Sequence, residues 1–334
     1  MSKAAIRWID VCTLASGAPL RIAVHEIGGA RDGPTLGVSA LIHGDEITGP
    51  EVIRRLLGLI DPARLRGRLR LVPVANPLAL QALTRGTPLA VEIANLNRVF
   101  PADPSLDLPA RLAHALQTQF LDEVTHLVDL HAGGTFPIVD YTISLRDVDM
   151  ALTFGQRVVL QINWLGFIAA RGQVPGQSQP PGARYAGTLG ALAASQGKPS
   201  VVAEIGGGYV RDGDYIEMGV RGVLNVMRYL GMIDGRPERP AEQVVVTEVN
   251  TLRPGHGGLL YSQIDAQGMG REVTKGTVLG RVVSPYTFET LEELRAPFAR
   301  NVVVLLRPGI TVVNPGDYGY MLGNLETARV VTNQ

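Results

Sequence analysis

His43 and Glu46 stand three positions apart in the string His43-Gly-Asp-Glu46, an imidazole and a carboxylate within reach of one metal ion. A second histidine, His131 in Val128-Asp-Leu-His131-Ala-Gly-Gly134, precedes glycines that let a substrate approach the backbone. Two histidines and one glutamate, with water in the fourth position, make up an established catalytic zinc set. Asp129 is placed to act as an outer carboxylate that orients the imidazole of His131. Alone, the His43/Glu46 pair also reads as a surface or core-edge hydrogen bond, and it is His131 at a comparable strand end that favours a metal. His25, His114, His126 and His256 fall in strand-like, helical or glycine-rich runs and read as packing or surface residues.

A zinc hydrolase needs a base beside the attacking water, and Glu204 in Val201-Val-Ala-Glu204-Ile-Gly-Gly-Gly208 offers a carboxylate at the end of an apolar strand. The alternative is a carboxylate that caps the glycine turn. In Asn95-Leu-Asn-Arg-Val-Phe-Pro101, Arg98 supplies a fork of donors matched to a carboxylate and Asn97 a further hydrogen bond. Arg85 could face a scissile carbonyl, although by itself it is a solvated loop charge. The Pro/Gly-rich stretch 171–184 suits the mouth of a pocket. Its Arg171 and Arg184 could pair with a second substrate carboxylate or face solvent.

These residues need a scaffold of strand ends. Residues 19–27 and 35–42 read as strands, and Val52, Ile53, Leu56, Leu57 and Ile60 have helical spacing, so His43 lies where a strand hands over to a helix. Further strands are predicted at 68–75, 125–130 and 200–205, with helices at 109–122, 147–160 and 185–196. This alternation argues for an α/β fold, a mixed and largely parallel sheet flanked by helices, with ligands bound outside the strand ends. Beyond the polar, proline-containing stretch 235–240, short β-prone runs at 244–249, 278–283, 302–306 and 311–313 predict a smaller C-terminal all-β sandwich or barrel. The expected division is a catalytic domain at 1–235 and a β domain at 241–331.

With 334 residues, 46% hydrophobic and 19% charged, and a formal net charge of +0, the chain has the composition of a compact soluble protein. Nothing in that balance favours nucleic acid or a membrane surface as partner, and small molecules are the expected ligands. The single Cys12 excludes an internal disulfide framework and a cysteine-rich metal site. No run resembles a signal peptide or a membrane span, so a cytoplasmic location is expected.

Taken in order, His43-x-x-Glu46, Asn97-Arg98, His131 and Glu204 resemble the succinylglutamate desuccinylase/aspartoacylase family, which is similar in fold to zinc carboxypeptidases. Four strings carry the likeness: Gly44-Asp-Glu46, Asn95-Leu-Asn-Arg-Val-Phe-Pro101, Asp129-Leu-His131 and Glu204-Ile-Gly-Gly-Gly208. The resemblance implies one Zn2+ per chain on His43, Glu46 and His131, with Glu204 as general acid/base. It also implies Arg98 with Asn97 on a substrate carboxylate, Arg85 polarising the scissile carbonyl, a dimer or higher assembly, and a C-terminal β domain that narrows the active-site mouth. The stretch between Arg85 and Asn95 is slightly longer than the family pattern, and the assignment of Arg85 depends on where the extra residues fall. The expected activity is hydrolysis of a small N-acyl amino acid or related amide. The rivals are a metallocarboxypeptidase using the same metal set and a non-catalytic binding module of the same fold.

The C-terminal strings Val273-Thr-Lys-Gly-Thr-Val-Leu-Gly280 and Leu294-Arg-Ala-Pro-Phe298 look like parts of a biotinyl- or lipoyl-type sandwich. Lys275 before Gly276 reads as a turn residue and not as a carrier lysine. The region is expected to cover the site and to lend it a Tyr or an Arg.

Overall fold

The structure is a computed structural model that describes residues 4–89, 93–161, 187–208 and 212–333. The chain opens with strands β1 (Ala5–Thr13), β2 (Pro19–Gly28) and β3 (Arg31–Ala40), then helix α1 (Thr48–Leu59), β4 (Arg66–Val72) and α2 (Pro77–Ala82). Two short strands, β5 (Thr87–Pro88) and β6 (Ile93–Ala94), form a small hairpin-like pair. Next come α3 (Leu108–Gln119), β7 (His126–His131), β8 (Ile138–Leu145), α4 (Val148–Phe154), β9 (Val158–Gln161), α5 (Leu189–Ser195), β10 (Ser200–Gly206) and α6 (Asp212–Tyr229). The remainder is all β: β11 (Glu242–Val246), β12 (Val249–Leu252), β13 (Gly258–Ser262), β14 (Glu272–Thr274), β15 (Val278–Val283), β16 (Thr290–Arg295), β17 (Arg300–Leu306), β18 (Ile310–Val313), β19 (Tyr320–Asn324) and β20 (Arg329–Thr332).

One 14-stranded sheet runs in the order β1-β2-β4-β3-β7-β10-β8-β17-β19-β12, with β9, β11, β14 and β20 pairing off that path. Its centre, β4-β3-β7-β10, is parallel. Parallel strands are covered on both faces. Val38, Leu130, Val201 and Ala203 pack under α1, α4 and α6, while Leu127 packs with α3 and α5 on the opposite face. Parallel pairing is less extensive than the sequence predicts. β1, β2, β8 and the C-terminal strands β17, β19 and β12 join the main order antiparallel.

The helix predicted over 147–160 is shorter. α4 is capped by Asp147, whose side chain accepts from Met150 N, and it ends at Gly155 with φ of 101°, a left-handed position that favours glycine. Val158-Val-Leu160 then continues as a strand beside β8 and β11. β8 was not foreseen, although Val139, Tyr141, Ile143 and Leu145 alternate with Asp140, Thr142 and Ser144 at the period of a strand.

The all-β region after residue 240 is present, and its strands divide between two layers. A four-stranded sheet, β16-β15-β13-β18, lies apart from the main sheet. β17 pairs with β8, and β11 pairs with β9, so hydrogen bonding of the large sheet continues across residue 240. Leu260, Leu279, Val282 and Leu294 of the small sheet share a core with Val303, Leu306, Tyr320 and Leu322 of the large one. Gly276, next to Lys275, has φ of 80° in the turn between β14 and β15. Among the described residues, no helix is long and apolar enough to cross a membrane.

Candidate active site

β3 delivers the first part of the site. After Ala40 the chain turns through Leu41, whose φ of 55° is unusual for a bulky residue and is held in place by contacts to the loop before α2. Asn76 N donates to Leu41 O at 3.0 Å and Asn76 Nδ2 to Ile42 O at 3.2 Å. Gly44 then passes against α2, where an added Cβ would lie 2.0 Å from the Ala79 carbonyl carbon. Only glycine lets this turn approach the helix and set His43 and Glu46 on its inner side. Gly44 N donates to Thr84 O at 2.9 Å, which brings Arg85 alongside.

β7 delivers the second part. Ser39 on β3 lies opposite Asp129 on β7 and its hydroxyl donates to Asp129 Oδ1 at 2.6 Å. Asp129 Oδ2 is 3.1 Å from His131 Nε2. Asn95 Oδ1 is 3.1 Å from His43 Nε2. A carboxylate or amide oxygen at Nε2 favours a proton there, which leaves Nδ1 of each ring as the position a metal ion would take. Both Nδ1 atoms face the same carboxylate: His43 Nδ1 is 2.7 Å from Glu46 Oε1, and His131 Nδ1 is 2.8 Å from Glu46 Oε2. The rings lie with centroids 5.0 Å apart and tilted by 56°.

All three side chains are buried, and their donor atoms lie within 4.8 Å of one another. Two imidazole lone pairs and an ionised carboxylate in one buried spot fit a divalent ion of the zinc type, with the outer oxygens already in place. Protonation is coupled to that fit, because a metal ion would take the Nδ1 position that a second proton occupies on a charged His131. Burial raises the cost of a charge on Glu46, yet the imidazoles of His43 and His131 hold its carboxyl well below the usual range. Burial also disfavours a charged His131, but Asp129 and Glu46 outweigh it and raise that imidazole well above its ordinary value. His43 is lowered, chiefly by burial.

β10 brings Glu204 to the same face. In register it lies beside His131 on β7 and beside Tyr141 on β8. Adjacent strands stand about 4.8 Å apart, so the Glu204 side chain borders the imidazole cluster. Burial, the largest influence, pushes its carboxyl up to about 7; His131 and Arg85 act against the rise, and Glu46 and Asp129 add to it. Gln156 Nε2 donates to the backbone carbonyl of Glu204 at 2.8 Å and so fixes the strand at that position.

The structure thus brings His43, Glu46, His131, Glu204, Arg85, Asn97 and Arg98 to the lining of one cavity of about 530 Å3. Arg85 donates to Glu46 Oε1 at 2.9 Å, with about half of its side chain exposed. Asn97 Oδ1 accepts from Leu189 N at 3.0 Å, which ties this segment to α5, and its Nδ2 lies 3.3 Å from His131 Nε2. Arg98 is exposed at the rim, and its Nη1 donates to Asn97 O at 2.6 Å. Arg171 and Arg184 lie outside the described residues. From beyond residue 240, Leu305, Arg307, Tyr318 and Met321 line the cavity. The sequence did not mark Asn95 or Tyr141. Asn95 stood inside a motif already singled out, and Tyr141 inside the alternating run of β8.

Asp129 Oδ2 contacts the His131 imidazole, and its replacement gives a direct check on that network. Asp129→Asn is expected to lower the affinity of the cluster for added Zn2+ about 10–100-fold, measured by competition with a chromophoric chelator. An unchanged affinity would show that the His131–Asp129 contact does not orient the imidazole.

Residues 32–230 match the family described as Succinylglutamate desuccinylase/Aspartoacylase catalytic domain. The N-alpha-acetyl-L-2,4-diaminobutyric acid deacetylase of Halomonas elongata is 27% identical over 302 residues, which cover 86% of this chain and 81% of that protein. Among solved structures, a succinylglutamate desuccinylase/aspartoacylase from Rhodobacter sphaeroides is similar with a TM-score of 0.78 at 23% identity, covering 96% of this chain and 95% of that one. The product-bound ectoine utilization protein EutE (DoeB) from Ruegeria pomeroyi is similar with a TM-score of 0.78 at 23% identity, covering 96% and 94%. These solved structures share the fold, and the sequence match extends over more than half of the chain: it belongs to the succinylglutamate desuccinylase/aspartoacylase family.

Proposed function

We propose that the protein is a zinc-dependent hydrolase that cleaves the amide bond of a small N-acyl amino acid. The observation that carries this is the convergence of His43 Nδ1 and His131 Nδ1 on Glu46, with Glu204 in register beside His131. The Halomonas elongata relative, a deacetylase of an N-acetyl amino acid by its name, supports the same reaction class. His43, Glu46 and His131 would hold one Zn2+, which supplies a Lewis acid that polarises a carbonyl and acidifies a water.

The remaining steps belong to the chain itself. Glu204 takes a proton from the attacking water as its oxygen bonds to the amide carbon. Arg85 faces the carbonyl oxygen, where negative charge develops. The C–N bond then breaks, Glu204 returns the proton to the leaving nitrogen, and a carboxylic acid and a free amine result. Arg98, with Asn97 behind it, holds the substrate carboxylate at the rim. Residues 1–235 form the catalytic part in this scheme, and 241–331 cover the mouth through Arg307 and Tyr318. The histidine–glutamate pair after one parallel strand and the histidine ending its neighbour also support the likeness to zinc carboxypeptidases.

Elemental analysis of the purified protein, coupled to an amine-release assay on N-acyl amino acids before and after chelation, tests the proposal. Near one zinc per chain and chelator-sensitive release is the expected result. Zinc-free protein that releases amine at the same rate would overturn it. Arg98→Ala is expected to raise KM about 10–100-fold with little change in kcat, the loss of a charge-assisted hydrogen bond to a carboxylate. An equal fall in kcat with unchanged KM would move Arg98 from anchoring to catalysis.

A further inference from the structure

The cavity extends well past the polar cluster, and its continuation is apolar. Val202 lies two residues before Glu204 on β10 and therefore on the same face of the sheet. Strand register sets Glu204 beside Tyr141, Val202 beside Ile143 and Ser200 beside Leu145. An apolar row thus leads directly away from Glu204. A second row crosses the sheet, with Val139 opposite Leu305 and Leu305 opposite Met321. Tyr141, Ile143, Leu145, Val202, Leu305 and Met321 all line the cavity.

Helix α5 closes the far end and ties it to the carboxylate anchor. A Cβ at Gly190 would lie 3.0 Å from both Leu145 Cδ1 and Val202 Cγ2, so the helix rests directly on the first row. Just before the same helix, Gly187 abuts the Arg98 backbone, and Phe100 N donates to Gly187 O at 2.9 Å. The apolar rows therefore stand on the Arg98 side of the site. Apart from Glu204, these rows carry no charged side chain. Among the described residues, an ammonium or second carboxylate lying along them would lose its water and meet apolar side chains and Tyr141, since Arg307, the cavity residue that follows Leu305, is engaged by Asp317 and by the Val312 and Tyr318 carbonyls; an aliphatic or aromatic group avoids that cost.

We propose that the rows from β8, β10, β17 and β19 select an N-acyl amino acid whose side chain is apolar, of leucine to phenylalanine size. Ile143, Val202 and Leu305 determine that specificity, while Arg98 holds the α-carboxylate; the assignment rests on the deacylase function proposed above. It separates this chain from a site built for a diamino acid or a dicarboxylate.

The test is amine release by the zinc-loaded protein from N-acetyl-leucine, N-acetyl-phenylalanine, N-acetyl-aspartate and N-acetyl-2,4-diaminobutyrate, with N-hexanoyl-aspartate as the compound apolar on its acyl half. The leucine and phenylalanine compounds are expected to exceed the aspartate and diaminobutyrate compounds about 10–100-fold in kcat/KM, the worth of burying one large apolar side chain. In Ile143→Thr, the ratio of leucine to aspartate turnover is expected to shrink severalfold; the parent panel decides the matter if that variant does not fold. A preference for aspartate or diaminobutyrate would overturn the inference and leave the deacylase function standing. N-Hexanoyl-aspartate as the best substrate would overturn the placement on the amino-acid half. Absence of release from every compound by protein that holds zinc would overturn the deacylase function and this inference with it.

Discussion

Replacing Glu204 by glutamine is expected to leave bound zinc near one per chain and to lower kcat about 100- to 10,000-fold, the usual contribution of a positioned general acid/base. Glutamine keeps the shape of the side chain and removes its capacity to accept and return a proton. Glu204 lies beside His131 in register but is not among the three donor atoms that cluster, so its loss should leave zinc binding largely intact. Elemental analysis and steady-state kinetics on the same preparation read both effects. Turnover near that of the parent would remove Glu204 from the mechanism and leave it as a carboxylate that closes the glycine turn of residues 206–208. Loss of zinc together with turnover would make it part of the metal site.

His131→Ala is expected to have the larger combined effect, on metal, activity and stability together. The imidazole stands between two buried carboxylates, 2.8 Å from Glu46 and 3.1 Å from Asp129. Removing it leaves both without their shared partner, and breaking a buried charge pair in this way costs about 3–5 kcal/mol. Denaturant unfolding of metal-free protein measures that cost apart from any contribution of zinc. The variant should hold no stoichiometric zinc and release amine only at background rate. Chelation of the parent protein, which removes the ion and keeps the imidazole, should abolish turnover with a smaller loss of stability. A folded His131→Ala protein that keeps one zinc would mean that the metal sits elsewhere.

The candidate site was legible in the sequence to the extent that its parts are local. His43 and Glu46 share one turn, Asp129 and His131 one strand, and Glu204 the end of another; each string carries its chemistry in residue type and short spacing. The alternation of strands with apolar-striped helices gave the parallel centre of the sheet, since both depend on periodicity within a single element. Locality also marks where the reading failed. The helix predicted over 147–160 followed apolar content and overlooked Gly155, whose left-handed backbone ends α4 and frees Val158-Val-Leu160 to pair as a strand.

Which strands lie side by side was a matter for the tertiary structure alone. Pairing of β17 with β8 and of β11 with β9 carries the main sheet past residue 240, although the composition changes there. Register between distant segments sets Glu204 beside His131 and Tyr141, and Leu305 beside Val139. The same pairing turns scattered apolar residues of four strands into a continuous wall. The sequence by itself determined the chemical groups, because these reside in side chains at short spacing. The fold decided how far apart those groups stand and what kind of surface surrounds them, because both follow from hydrogen-bond register and packing between parts of the chain that no local pattern connects.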